Sequence, residues 1–197
     1  MFSLVRPTQA AIDRKIVAAR NLPPATPALL TLLDGPIAPE PPRGFVHDAS
    51  NSELGHGSEV FECAREAFAH WAQFDLGWVR VANPEVPVRS GSIVAIEAHT
   101  LGLWSVSLSR ITETVSTPYL FGFIYATTSM HVEEGRERFL LMLDPVSEVV
   151  TYSIEAISRP RHPLVKLANP VGRIMQLRFT GESHLRLRQA VNDPSIL

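Results

Sequence analysis

The chain has a single cysteine, Cys63, among its 197 residues, which excludes an internal disulfide and any zinc site built from cysteines. That scarcity fits a reducing compartment, and the sequence reads as that of a cytoplasmic protein. Long hydrophobic runs are also missing: stretches such as Tyr119 to Ala126 fall far short of the ~18 residues a membrane helix needs. No basic stretch leads into a signal-like apolar region at the N-terminus. Surplus charge is absent too. A formal charge of -2 and an isoelectric point near 6.4 leave no summed field to hold a nucleic-acid backbone by counterion release. Lysine is confined to Lys15 and Lys166. Arginine carries the other basic charge, a usage that a GC-rich, bacterial genome explains better than a demand for bidentate pairing.

What the sequence does contain is enough apolar material, 45% of residues, for one large domain with an appended arm. Thr8 is placed to cap a helix from about Gln9 to Arg20, with Ile12, Ile16 and Ala19 on one face. Pro23, Pro24, Pro27, Pro36, Pro39, Pro41 and Pro42 then forbid a long helix and favour extended chain. Leu29, Leu30, Leu32 and Leu33 give that arm something to bury. Residues 1–42 are therefore expected to form a helix and a proline-rich arm docked on a single α+β domain of residues 43–197.

Within that domain, Gly44 to Asp48 reads as a short strand and Asn51 to Gly57 as a loop. Ser58 stands as the N-cap of a helix whose apolar face is Val60, Phe61, Ala64, Ala67, Phe68 and Trp71. Phe61 and Trp71 are expected in the core. From Trp78 to Arg159 the period becomes two: Ile93 to His99, then Trp104, Val106 and Leu108 alternating with Ser105, Ser107 and Ser109, then Phe121, Phe123 and Tyr125, then Phe139, Leu141 and Leu143, then Val150, Tyr152, Ile154 and Ala156. Short turns at Thr100 to Gly102, Ser116 to Pro118 and Asp144-Pro145 make these strands antiparallel neighbours. Asn169 is placed to cap a last helix, with Pro170 at its first position, running to about Val191. Its expected stripe is Val171, Ile174, Met175, Arg178 and Leu185.

The densest chemistry lies between Phe121 and Phe139, where an aromatic strand runs into His131, Glu133, Glu134, Arg136, Glu137 and Arg138. Together with the Leu54-Gly-His-Gly57 turn, Trp71 and Ser158-Arg-Pro160, this segment resembles uncharacterised protein family 0548, a domain of unknown function. Gly122, Phe123, Tyr125, Thr127, His131, Gly135, Glu137, Arg138 and Phe139 match that family's pattern, whereas Ala126, Thr128, Met130 and Arg136 depart from it. The resemblance spans most of Gly44 to Val191 and implies no activity.

The order of elements resembles the helix-grip arrangement of START and Bet v 1-type proteins, a curved antiparallel sheet packed on a long C-terminal helix. A lipocalin-like β-barrel with flanking helices and a flatter α+β sandwich are the alternatives. In a helix grip, aromatic strands facing the last helix suit a cavity for a small hydrophobic or amphipathic molecule, with Trp104, Phe123, Tyr125, His131, Glu137 and Arg138 as ligand-binding candidates. The same residues serve equally as a filled core. Arg138 is expected to point inward and to meet Glu97, Glu155 or Glu134. An enzyme using His131 and Glu137 for acid-base work in the same cavity, or an interaction module offering the proline-rich arm, stays open. So does a homodimer. His47, Asp48, His56 and Glu59 lack tight metal-ligand spacing, and no metal or cofactor is expected.

Overall fold

Alternating strands joined by short turns can only zip to their sequence neighbours, and the chain after Val79 does this throughout. The computed structural model describes residues 2–24, 41–131, 133–160 and 169–193. Its strands are β1 (Phe2–Ser3), β2 (Val46–His56), β3 (Val79–Val81), β4 (Ile93–Thr100), β5 (Leu103–Ser116), β6 (Leu120–Thr127), β7 (Glu133–Leu143) and β8 (Val149–Pro160). Its helices are α1 (Gln9–Ala19), α2 (Ser58–Ala69) and α3 (Asn169–Asn192), with a 3-10 turn at Ala72–Phe74. The strands form one antiparallel sheet in the order β2-β8-β7-β6-β5-β4-β3, to which β1 adds beside β5. β2 and β3 end that path without pairing to each other, so the sheet is an open, curled half-barrel and the closed lipocalin-like alternative falls.

Alternation divides the side chains between two faces. The concave face carries Val94, Ile111, Phe123, Phe139, Leu141, Tyr152 and Ile154, packed with Phe61, Phe68, Trp71 and Phe74 from α2 and the 3-10 turn and with Leu187 and Ala190 from α3. Ile93, Ala95, Val106 and Leu108 lie on the convex face under Ile12 and Ala19 of α1. Phe61 and Trp71 are both buried, as expected. Trp71 holds a left-handed backbone, φ 64°, that ends α2, and its indole N–H donates to the Val86 carbonyl at 3.0 Å. Thr8 caps α1, accepting the Ala11 N–H at 3.3 Å.

Three expectations need correction. The loop expected at Asn51 to Gly57 is the second half of β2, which pairs with β8 as far as His56↔Val149; an edge strand satisfies only one side, so polar residues suit it. Ser58 is the first residue of α2, and its cap is Gly57 at φ 89°, a left-handed value that favours glycine. The polar run Glu133 to Arg138 is the first half of β7. On α3 the buried positions are Ser183, Leu187 and Ala190, spaced i, i+4 and i+7, while Ile174 and Leu185 are exposed. Residues 25–40 of the proline-rich arm lie outside the described residues. No helix among those described is long and apolar enough to cross a membrane.

Candidate functional site

Cross-strand register arranges the concave face in rows, and the rows change character along the strands. One row is Phe121, Leu141 and Tyr152, and the next is Phe123, Phe139 and Ile154. Their rings interlock with Phe68, Trp71 and Phe74, for example Phe123 with Phe139 at 5.1 Å and with Trp71 at 5.3 Å between centroids. That half is a filled core. The row after it reads Ile111, Tyr125, Glu137, Ala156 and Asp48. Beyond it come small residues: Ser109 opposite Thr127, and Gly135 opposite Ser158, tied together by the Gly135 N–H donating to Thr127 Oγ1 at 3.0 Å. Gly135 has no replacement here, because a Cβ on it would lie 2.4 Å from the Ile157 carbonyl oxygen and 2.6 Å from Ser158 Cβ.

Hydrogen bonds from α3 run over both halves, those of Arg173 and Gln176 over the second and those of Ser183 and His184 over the rows of Tyr152 and Ile154. Arg173 pairs with Asp48, and Gln176 Nε2 donates to both Glu133 oxygens at 3.1 and 3.2 Å. His184 sits between two serines, with Ser50 Oγ 2.7 Å from Nε2 and Ser52 Oγ 2.9 Å from Nδ1. Ser183 Oγ lies 3.0 Å from the Tyr152 hydroxyl. Below them the Tyr125 hydroxyl donates to Glu137 Oε2 at 2.6 Å.

The electrostatics follow from enclosing acids together. Burial pushes the Glu137 carboxyl up to about 7, the Tyr125 bond pulls the other way, and the charges of Glu133 and Asp48 raise it further. Glu133 is raised by burial, against the bonds from Gln176 and Ser158. Tyr125 lies well above its ordinary range through burial and the Glu137 charge. Burial lowers His184 to about 4, helped by Arg188, so the imidazole is neutral at physiological pH. A neutral imidazole, a protonatable carboxyl and a phenol can all exchange hydrogen bonds with a bound molecule.

The six residues singled out from sequence do not form one constellation. Tyr125 and Glu137 come together on the concave face. Phe123 shares that face but is wholly buried among the rings of the filled half. His131 lies in the turn between β6 and β7, its Nδ1 accepting the Glu133 N–H at 3.0 Å, and the partner of Glu137 is Tyr125 rather than His131. Trp104 and Arg138 belong to the convex face. Trp104 stacks on His99 at 4.3 Å beneath the Arg6 guanidinium. Arg138 is buried and paired with Glu155, which also takes His47 Nε2 at 3.0 Å. Alternation likewise sends His47 and Asp48 to opposite faces of β2, separating the residues weighed as metal ligands. Ser50, Ser52, Gln176 and His184 were missed as site residues, and Asp48 was weighed only as a metal ligand, since only the pairing of β2 with β8 and the path of α3 bring them together.

Two polar groups in this region stay unanswered. Ser109 Oγ, in the small-residue row, and the whole carboxamide of Gln73, in the 3-10 turn, are fully buried without a hydrogen-bond partner.

A family model described as Domain of unknown function (DUF1990) matches residues 34–186, and the chain belongs to that family. A UPF0548 protein of Dictyostelium discoideum is 32% identical over 158 residues, covering 75% of this chain and 73% of the relative. A UPF0548 protein of Deinococcus radiodurans is 28% identical over 182 residues, covering 87% and 89%. The family is therefore shared by eukaryotes and bacteria, and membership does not mark a bacterial source. Among solved structures, TTHA0849 from Thermus thermophilus superposes with a TM-score of 0.53 at 13% identity, covering 76% of this chain and 99% of that one. The di-domain ARO/CYC StfQ from the steffimycin biosynthetic pathway superposes at 0.51 with 8% identity, covering 78% and 52%. These likenesses show the fold, a helix grip.

Proposed function

We propose that the protein binds a small amphipathic molecule between the sheet and α3, over the small-residue row, with the polar end of the molecule against Tyr125 and Glu137. The observation that carries this is the state of Glu137. It stands on a central strand under a helix and is desolvated enough to titrate near 7, yet it keeps part of its surface accessible. Its row neighbour Ala156, on a strand paired on both sides, is also only partly buried. Partial accessibility in the middle of a covered sheet face is what the lining of an enclosed space shows, and a small-residue floor leaves room for one. The wholly buried rings of Phe123 and Phe139 stand in the next row, on the side where an apolar end would lie.

The test fills that space. Ala156→Phe is expected to keep the melting temperature within a few degrees and to abolish enhancement of N-phenyl-1-naphthylamine fluorescence, and native mass spectra of gently purified wild type are expected to show a retained small molecule. Absence of both signals from the wild type, or unchanged dye binding by Ala156→Phe, sinks the reading. A second reading, proton transfer to a bound molecule, is favoured by the carboxyl near 7 hydrogen-bonded to a phenol.

A further inference from the structure

Three carboxyl groups, Asp48, Glu133 and Glu137, share the concave face of the sheet, and among the described residues one guanidinium answers them. Arg173 is committed to Asp48. Glu133 receives only the neutral amide of Gln176 and the Ser158 hydroxyl, and Glu137 only the Tyr125 hydroxyl. Neutral donors stabilise a carboxylate without cancelling its charge, so two acids remain that disfavour ionising together. In the adjoining row the Ser109 hydroxyl points to the same face, fully buried and without a partner. Among the described residues no second cation reaches these acids, and the adjoining hydroxyl has one more polar contact to give.

We infer that the molecule taken by this floor carries an amine at its polar end, bound as an ammonium between Glu137 and Glu133, with its apolar portion towards Phe123 and Phe139. This rests on the cavity reading above and narrows it to one ligand class. An ammonium offers three donors and full charge to the free oxygens of the two acids. A carboxylate or phosphate would meet the same acids as repulsion. An alcohol would gain hydrogen bonds but leave the like charges uncancelled.

Among the described residues, the charged and titratable groups around Glu137 are Tyr125 from β6, Glu133 from its own strand, Asp48 from β2 with its partner Arg173 from α3, and Tyr152 from β8, while His184 of α3 lies farther along over Ser50 and Ser52. Of these, His184 is neutral above about pH 4 and Arg173 stays charged, so the carboxyls govern the pH response near neutrality. An arriving ammonium favours the ionised form of Glu137, so binding releases a proton and strengthens as pH rises from about 5.5 to about 8.

Isothermal titration of wild type with decylamine, decanol and decanoate at pH 8, with N-phenyl-1-naphthylamine as a control for the cavity, separates the outcomes. Decylamine is expected to bind at least about tenfold more tightly than the other two, and Glu137→Gln to reduce that preference to about twofold. Wild type in two buffers of different ionisation enthalpy at pH 7 is expected to report release of about half a proton per amine bound, a readout that needs no variant. Equal or tighter binding of decanol or decanoate overturns the ligand class and leaves the cavity standing, as does dye binding with no binding of the three chains. No binding of dye or chains overturns the cavity reading and this inference together. Amine binding without proton release, or with preference intact in Glu137→Gln, overturns the assignment to Glu137.

Discussion

The two halves of the concave face are built by the same strands and differ by a few residues of register. Under α2 each row presents large rings, and nothing but side chains fills the space between sheet and helix. Beyond Phe179 of α3, which still packs on Phe74 and Phe139, the rows pass through Tyr125 and Glu137 to Ser109, Thr127, Gly135 and Ser158, and the helix supplies Arg173 and Gln176 in place of aromatic side chains. The first half makes the fold stable, and the second half keeps acids out of water at a cost the first must offset. A helix grip separates these duties along one strand pair, β6 and β7, so stability and chemistry are neighbours without being the same residues.

The sharpest way to break this comparison is to truncate one side chain in each half. Phe139 is wholly buried between Phe123, Phe74 and Tyr125, and Phe139→Ala is expected to lose about 3–5 kcal/mol of stability in denaturant titrations. Two residues away, Glu137→Gln removes no volume and is expected to act through pH. A carboxyl whose folded value is raised to about 7 favours folding most when protonated. Its contribution is therefore full below the unfolded value near 4 and is lost as pH rises through 7. The glutamine variant lacks that loss, so relative to wild type it should gain stability on the order of 3–4 kcal/mol between pH 4 and 8. A constant difference between the two proteins across that range would show Glu137 to be open to water, and would make the two halves alike.

Much of this arrangement was legible in the chain, and what was not has a common cause. The α2 stripe, the alternation of β5 to β8 and the turns between them are local patterns, and each stands where the sequence puts it. Tyr125 and Glu137 were each singled out in the sequence, but their pairing was not, since the register of β6 on β7 sets Glu137 against Tyr125 and not His131. Ser50 and Ser52 were not legible, because polar residues of an edge strand look like loop until their partner, here β8, is known, and Asp48, though read in a strand, could not be matched to Arg173 of α3. Arg138 shows the same limit from the other side. Its burial and its partner Glu155 follow from charge and alternation, but which face of the sheet is concave is a property of the whole sheet, and it places Arg138 away from α3. The buried face of α3 is read wrongly from apolar spacing because Ser183, a polar residue bonded to Tyr152, is one of its deepest positions.

A smaller effect is expected at Gln73. Its carboxamide is fully enclosed with neither atom bonded, in the turn that joins the filled half to β3. Gln73→Met keeps the length of the side chain and removes the unanswered polar atoms, so it should raise stability by about 1 kcal/mol or more. A loss of similar size, measured by denaturant midpoint at constant m-value, would mean that the amide finds partners in solution.

The smallest effect belongs to Ser109, and it bears on the comparison most directly because Ser109 is the first residue of the small row. Its hydroxyl is fully buried and unbonded, so in the ligand-free protein it costs desolvation and returns nothing. Ser109→Ala is expected to be neutral or to stabilise the free protein by up to about 1 kcal/mol. If the hydroxyl has a purpose, the same change should weaken binding of decylamine by several-fold, as loss of one hydrogen bond to a charged donor does. Stability and binding then move in opposite directions at one residue, which is the mark of a group kept for a ligand. A variant that loses stability by more than about 1 kcal/mol and binds the amine as wild type does would place Ser109 with the filled half, and the boundary between the two halves would shift to the row of Tyr125 and Glu137.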